Sequence, residues 1–154
     1  MSMMTTVQIE REVVIDAPVD VVWRTVTEPE QIIQWFADRV ELDATPGGRG
    51  LLVFDNDGGE TVHRSPLVVE AVEAPTRFAF RWSHPEGETP AAGNSLLVEF
   101  LLSPEGSERT RLKVMESGLD ELGWSEDEKS HFAKDHNEGW AYHLGRLGRL
   151  DLRG

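Results

Sequence analysis

Two histidines and one glutamate are the residues whose types and spacing could carry chemistry in this sequence. His136 and His143 are seven residues apart, which is two turns of an α-helix, so both imidazoles lie on one helix face. A histidine facing a cavity can bind a ligand hydroxyl or carbonyl, or act as a general acid or base near neutral pH. The alternative is a core histidine bonded to a backbone carbonyl or a water, and the sequence favours that alternative for both.

Glu116 is the third candidate. It continues the inward-facing positions Leu112 and Val114 of a predicted strand, and it lies where that strand ends. A carboxyl group at the mouth of a cavity could act as a proton donor. Because strand ends fray, we expect plain solvent exposure for Glu116 instead. The sequence therefore assigns no catalytic residue, and His136, His143 and Glu116 would be the acid–base groups only if the protein is an enzyme.

One long C-terminal helix must position the two histidines. Ser125–Glu128 has the pattern of a capping box, in which the first and fourth residues satisfy each other's backbone N–H groups. From there a helical pattern continues towards Leu150. One side of this helix is mainly apolar and comprises Phe132, His136, Trp140, His143, Leu147 and Leu150. The other side is mainly polar and comprises His131, Lys134, Asp135, Glu138, Tyr142, Arg146 and Arg149.

The remaining sequence predicts an antiparallel sheet for this helix to cover. Val7–Ile15 alternates as a strand, a short helix follows from Pro18 to Thr27, and a second helix runs from a capping box at Thr27–Glu30 to Phe36. A ten-residue stretch, His84–Gly93, is expected to be a mobile loop at the rim. Six further strands are predicted at Arg39–Asp43, Gly50–Asp55, Thr61–Val72, Thr76–Ser83, Asn94–Ser103 and Glu108–Ser117. The prediction is an α+β fold with about seven strands around a long helix.

Aromatic side chains are numerous for a chain of this length. Such a set can line an apolar ligand pocket or fill an ordinary core. For any single residue the core is the more frequent role. The set comprises Trp35, Phe36, Phe54, Phe78, Phe80, Trp82, Phe100 and Trp140.

Length and composition restrict the class of protein. The 154 residues suffice for one domain, predicted to span residues 1–154, and the net charge of −13 disfavours nucleic acid and anionic membrane surfaces as partners. The absence of cysteine excludes disulfides, thiol nucleophiles and thiolate-bound zinc. We expect no metal site, no cofactor and no membrane insertion. Since Met1–Thr6 lacks the pattern of a signal peptide, we expect a cytoplasmic protein.

Five short stretches follow one another along nearly the whole chain. They are Ile15–Pro18 with Val22–Trp23, Thr27–Glu30 with Trp35–Phe36, Phe78–Trp82, Glu116–Leu119, and His136–Trp140 with Leu144 and Leu147. Through them, residues 7 to 150 resemble the START-like (SRPBCC) superfamily and, within it, the family named after the activator of heat shock protein 90 ATPase. The resemblance implies a helix-grip fold with a cavity between the sheet and the C-terminal helix.

Three functions follow from the resemblance. Relatives bind lipids, sterols, plant hormones or aromatic natural products, so we expect a small hydrophobic ligand, with a homodimer also compatible. The second alternative is an enzyme of the polyketide cyclase or dehydratase type, and the third is a module that contacts a chaperone. The expected ligand-binding residues are Trp35, Phe36, Phe54, Phe80, Trp82, Phe100, His136, Trp140 and His143.

Overall fold

A seven-stranded antiparallel sheet with a long C-terminal helix forms the fold, as the sequence predicts. The computed structural model describes residues 9–56, 61–82, 90–91 and 93–150. The spatial order of the strands is β1-β7-β6-β5-β4-β3-β2. Their bounds are β1 Ile9–Ile15, β2 Arg39–Leu42, β3 Arg49–Asn56, β4 Thr61–Glu73, β5 Arg77–Trp82, β6 Leu96–Pro104 and β7 Thr110–Ser117. The helices are α1 Val19–Thr27, α2 Pro29–Ile32 and α3 Glu126–Gly148, and Leu119–Glu121 forms a single 3₁₀ turn.

The core lies between the inner face of the sheet and the helices. Alternate residues of β6 and β7 are buried, as their period of two predicts. Phe100 of β6 pairs with Phe78 on one side and with Val114 on the other, and all three side chains are at most 2% exposed. Trp140 and Leu147 of α3 are buried in the same cluster. The sheet therefore grips α3 along its apolar side, which is the helix-grip arrangement.

The start of α3 is capped as the sequence predicts. The Ser125 hydroxyl accepts a hydrogen bond from the backbone N–H of Glu128 at 3.1 Å, and Glu128 Oε1 accepts one from the Ser125 N–H at 3.1 Å. Three acidic residues in the first turn also favour the helix dipole. These interactions fix where α3 begins, and hence which turn carries each histidine.

The predicted capping box at Thr27–Glu30 is wrong. Thr27 is still the last residue of α1, so its hydroxyl donates to the Trp23 carbonyl one turn back at 2.7 Å. The second helix begins at Pro29 and ends at Ile32, without a side-chain cap. Beyond α2, Trp35 Nε1 donates to the Thr25 carbonyl at 3.0 Å. This bond anchors the segment that brings Trp35 and its neighbour into the core.

Most of the predicted rim loop, His84–Gly93, lies outside the described residues, because residues 83–89 and 92 are not among them. The same is true of the start of the first predicted strand, so β1 is described from Ile9. In the part of the chain that the structure describes, no helix is both long and apolar enough to cross a membrane.

Candidate functional site

Glu116 is the centre of a buried polar cluster at the end of β7. Its side chain is 0% exposed, and three ring nitrogens surround its carboxyl oxygens. Trp82 Nε1 donates to Oε2 at 2.8 Å, and Trp140 Nε1 donates to Oε1 at 3.0 Å. His136 Nδ1 lies 2.8 Å from Oε1. One carboxyl group thus joins the sheet to α3 and fixes three ring systems.

The solvent exposure that we expected for Glu116 is therefore wrong. Its strand does not fray at Glu116, because β7 lies between β1 and β6 and is paired with both as far as this residue. Glu116 pairs with Ile9 of β1 and with Val98 of β6, and the next residue, Ser117, still pairs with Leu97. The carboxyl group is consequently held on the inner face of the sheet, where α3 covers it.

His136 is held on three sides. Its Nδ1 contacts Glu116, the Phe132 ring stacks on it with centroids 3.6 Å apart, and the Trp82 ring packs at 5.9 Å nearly perpendicular to it. The side chain is 26% exposed, and Nε2 has no partner among the described residues. A backbone carbonyl, one of the two partners expected for a core histidine, is not what Nδ1 contacts. The imidazole instead bonds to a buried carboxyl group and leaves one nitrogen available.

A cavity of about 180 Å³ opens beside this cluster, between α3 and the inner face of the sheet. Its aromatic wall is built around Phe36, whose ring stacks on Trp140 with centroids 5.1 Å apart and 20° between planes. Phe54 and His143 meet the Phe36 ring edge-on at 5.5 and 5.0 Å. The complete lining is Phe36, Phe54, Ser65, Trp82, Asp135, His136, Gly139, Trp140 and His143.

His143 lies at the other end of the cavity from Glu116, two helical turns beyond His136. Burial lowers the pKa of His143, which a hydrogen bond to the backbone of Trp35 partly offsets. The positive charge of Arg146 lowers the pKa further, and the negative charge of Asp38 raises it. Its Nδ1 atom is buried without a hydrogen-bond partner. His143 is thus favoured in its neutral form.

A family model covers nearly the whole of this architecture. The model of the activator of Hsp90 ATPase homolog 1-like proteins matches residues 16–150. The chain belongs to this family. The resemblance drawn from the sequence is therefore confirmed. A comparison with curated proteins found no match.

Several solved structures are similar to this family member. DynU16, from the dynemicin biosynthetic locus, is 29% identical with a TM-score of 0.71, and the alignment covers 94% of this chain and 47% of DynU16. The chain thus spans about half the length of DynU16. CalU16 from Micromonospora echinospora is 25% identical with a TM-score of 0.65, over 92% of this chain and 73% of that one. NE0264 from Nitrosomonas europaea shares the fold, with 21% identity, a TM-score of 0.74 and 92% coverage of both chains.

Six of the nine ligand-binding residues predicted for this family member line the cavity, and three do not. Trp35, Phe80 and Phe100 line a neighbouring space of about 10 Å³, which is hardly enough for one water molecule. They are therefore core residues, at most 2% exposed. The six that the structure places at the cavity are Phe36, Phe54, Trp82, His136, Trp140 and His143.

Sequence reasoning missed three residues of the lining. Ser65 lies on β4 two residues before the buried Leu67, so its alternation with Arg64 and Pro66 could have indicated an inward position. Asp135 was assigned to the polar side of α3, and it does pair with His131 at 3.3 Å, yet it also borders the cavity. Gly139 has no side chain to signal its position, although it lies between His136 and His143 on the same helix side.

Neither a metal centre nor the hollow on the outer face of the sheet offers a better candidate for the site. Among the described residues, no group of three or more histidine, aspartate or glutamate side chains could hold a metal ion. A larger hollow of about 330 Å³ lies on the outer face of the sheet, where Arg39, Val53 and Arg64 are paired across three strands. We place the site at the smaller cavity because only there do buried polar groups and aromatic rings converge.

Proposed function

We propose that the protein binds a small, largely apolar molecule with one or two aromatic rings in the cavity between α3 and the sheet. The observation that carries this proposal is the cavity wall. Phe36, Phe54, Trp82 and Trp140 supply aromatic surface, and the two histidines supply polar atoms at separate places. An apolar wall with a few fixed polar groups is typical of small-molecule sites.

The volume limits the size of the ligand. An engineered cavity of about 150 Å³ in another protein accommodates benzene. A cavity of about 180 Å³ therefore has room for one or two fused rings, whereas sterols and long acyl chains would extend well beyond it. The similarity to DynU16, a protein of a natural-product biosynthetic locus, supports an aromatic natural product or its precursor as the ligand. Members of this fold family bind small hydrophobic ligands, which supports the same proposal.

A thermal-shift panel tests this function. Naphthalene derivatives, flavonoids, sterols and fatty acids would be added to the purified protein, and a ligand at 100 times its Kd should add about 2.7 kcal/mol to the free energy of unfolding. We expect the shift to be confined to the one- and two-ring aromatic compounds. Gly139→Leu, which places a side chain in the cavity, should abolish the shift, and Gly148→Ala on the same helix should retain it. A panel without any shift would contradict the proposal.

The contact between Glu116 and His136 favours one second candidate, an acid–base enzyme of the cyclase or dehydratase type. His136 Nε2 would take a proton from the carbon next to a substrate carbonyl. The electrons of that C–H bond would pass to the carbonyl oxygen, which the Ser65 hydroxyl could stabilise, and Glu116 would stabilise the resulting imidazolium through Nδ1.

Deuterium exchange separates the two candidates. NMR in D₂O would follow exchange at the carbon next to the carbonyl of 2-tetralone, a ketone with the two rings proposed for the ligand. An enzyme would accelerate the exchange, and His136→Phe would remove the acceleration while His131→Phe would not. A pure binding protein would leave the exchange at its rate in buffer.

The family name points to a third function, contact with a chaperone. Val14, Ile33 and Tyr142 are the large apolar side chains that are exposed among the described residues, and they lie on β1, just after α2 and on α3. They occur on three separate elements, so no observation favours this function over ligand binding.

A further inference from the structure

The wall of the cavity has few hydrogen-bond donors. Tryptophan carries one donor and no acceptor, and both indole N–H groups at the cavity, those of Trp82 and Trp140, already point at Glu116. They are therefore not available to a ligand. Lysine and arginine are absent from the lining among the described residues. A ligand that needs to accept hydrogen bonds finds little to satisfy it here.

His136 offers an acceptor because of its bond to Glu116. An ionised carboxyl group only accepts hydrogen bonds, and this one already accepts two indole N–H bonds, so we infer that His136 donates to it through Nδ1. The proton of a neutral His136 then lies on Nδ1, which leaves a lone pair on Nε2. Stacking on Phe132 prevents the ring from turning to exchange the two nitrogens. Glu116 is thus a positioning residue that determines the polarity of His136.

The other polar side chains of the cavity wall also offer few hydrogen-bond donors to a ligand. His143 Nδ1 is buried without a hydrogen-bond partner, and burial favours the neutral ring, which carries a single N–H. Asp135 adds a carboxylate at the rim, and the Ser65 hydroxyl can donate or accept. With a net charge of −13 over the whole chain, this arrangement disfavours anionic ligands such as carboxylates.

Gly139 leaves space for a flat group against α3. A Cβ atom added there would meet nothing within 4 Å, although the position is in the middle of the helix and borders the cavity. Glycine inside a helix costs about 1 kcal/mol relative to alanine. The missing side chain exposes helix backbone between His136 and His143, and a planar ring can lie against it while its substituent reaches Nε2 of His136.

We propose that the cavity selects uncharged aromatic molecules that carry a hydroxyl group, a class that deepens the proposed function and rests on it. The hydroxyl donates a hydrogen bond to His136 Nε2, and the ring occupies the space at Gly139 between the aromatic side chains of the wall. Matching aromatic ethers, which have no donor, bind more weakly, and matching carboxylates bind more weakly still.

Three probes of the same ring system test this selection: 2-naphthol, 2-methoxynaphthalene and 2-naphthoate. Calorimetric titration at pH 8 should give a Kd for 2-naphthol about 5 to 10 times lower than for 2-methoxynaphthalene, which is what one hydrogen bond is worth. His136→Phe keeps a ring that can stack on Phe132 but has no acceptor, so it should reduce this ratio to about 1. His131→Phe is the matched control, since that side chain is 80% exposed, and it should leave the ratio unchanged.

A direct measurement supplements the titration. Nitrogen-15 NMR of the imidazole rings of the wild-type protein should show the His136 proton on Nδ1, with Nε2 unprotonated. This measurement does not depend on whether the His136→Phe variant folds. If 2-naphthol and its methyl ether bind equally, or if Nε2 carries the proton, the selection for hydroxyl groups is overturned while the proposed function stands. If none of the three probes binds, the proposed function itself fails.

Discussion

Replacing Glu116 by glutamine is the most informative single perturbation, because the carboxyl group has two acceptor ends and an amide has only one. Oε2 accepts from Trp82, and Oε1 accepts from Trp140 and contacts His136. In either orientation, the glutamine NH₂ group faces one indole N–H. Glu116→Gln therefore leaves one buried donor without an acceptor, although it hardly changes the side-chain volume.

The expected cost follows from that one donor. A buried donor without a partner costs about 1–3 kcal/mol, and 1 kcal/mol shifts the Tm of a chain of this size by about 2–4 °C. We therefore expect Glu116→Gln to lower the Tm by about 2–12 °C in calorimetry. Glu10→Gln is the control, because that carboxylate is 46% exposed and pairs with Lys113 at the surface, where such pairs contribute at most about 1 kcal/mol.

A double-mutant cycle identifies the cause. Trp82→Phe removes one of the two competing N–H groups, so Glu116→Gln should cost less in that background than in the wild type. Urea denaturation of the four proteins would measure the difference. If Glu116→Gln is no more destabilising than Glu10→Gln, or if the two substitutions are additive, Glu116 does not hold the three rings as described.

Three further outcomes are expected. Burial lowers the pKa of His143 in the native state, so below the usual histidine pKa of about 6.5 the unfolded chain binds more protons than the native protein, and the free energy of unfolding falls as the pH drops through that value. Urea denaturation from pH 8 to pH 5 should therefore show a smaller fall in this free energy for His143→Gln than for the wild type. The control His131→Gln should show the same fall as the wild type. Gly139→Ala should raise the free energy of unfolding by about 1 kcal/mol, since the added Cβ atom meets no neighbour within 4 Å. The same substitution should reduce the thermal shift caused by 2-naphthol. A larger thermal shift in the variant would contradict the position of the site. Phe100→Ala should lower the free energy of unfolding by about 3–5 kcal/mol, because this ring is 2% exposed in the core; a cost below about 1 kcal/mol would show that the core is not packed as described.

The order and type of the elements could be predicted from local patterns. Alternation in β6 and β7, and the capping box at Ser125, each depend on neighbours within a few residues. The capping box at Thr27 failed for the same local reason, since a threonine hydroxyl can bond either forwards to a new helix or back to the old one. Here the last turn of α1 continues through Thr27, so the hydroxyl bonds back to Trp23.

The candidate site could be predicted only in part. Helical spacing brought His136 and His143 to one face, and the structure places both at the cavity. The burial of Glu116 depends on β7 being paired on both sides as far as this residue, which is a property of the strand order and not of the strand. Alternation likewise gives the face of Phe80 and Phe100 but not their depth, so it could not tell core rings from cavity rings.

An NMR titration of the labelled protein with 2-naphthol would show whether a ligand binds between α3 and the sheet, because it reports where the molecule binds. We expect the amide signals of Gly139 and His143 and the indole signals of Trp82 and Trp140 to shift together and saturate. Signals of Arg39 and Arg64, which line the hollow on the outer face, should not move. No shifts at the cavity, or shifts confined to the outer face, would contradict ligand binding between α3 and the sheet.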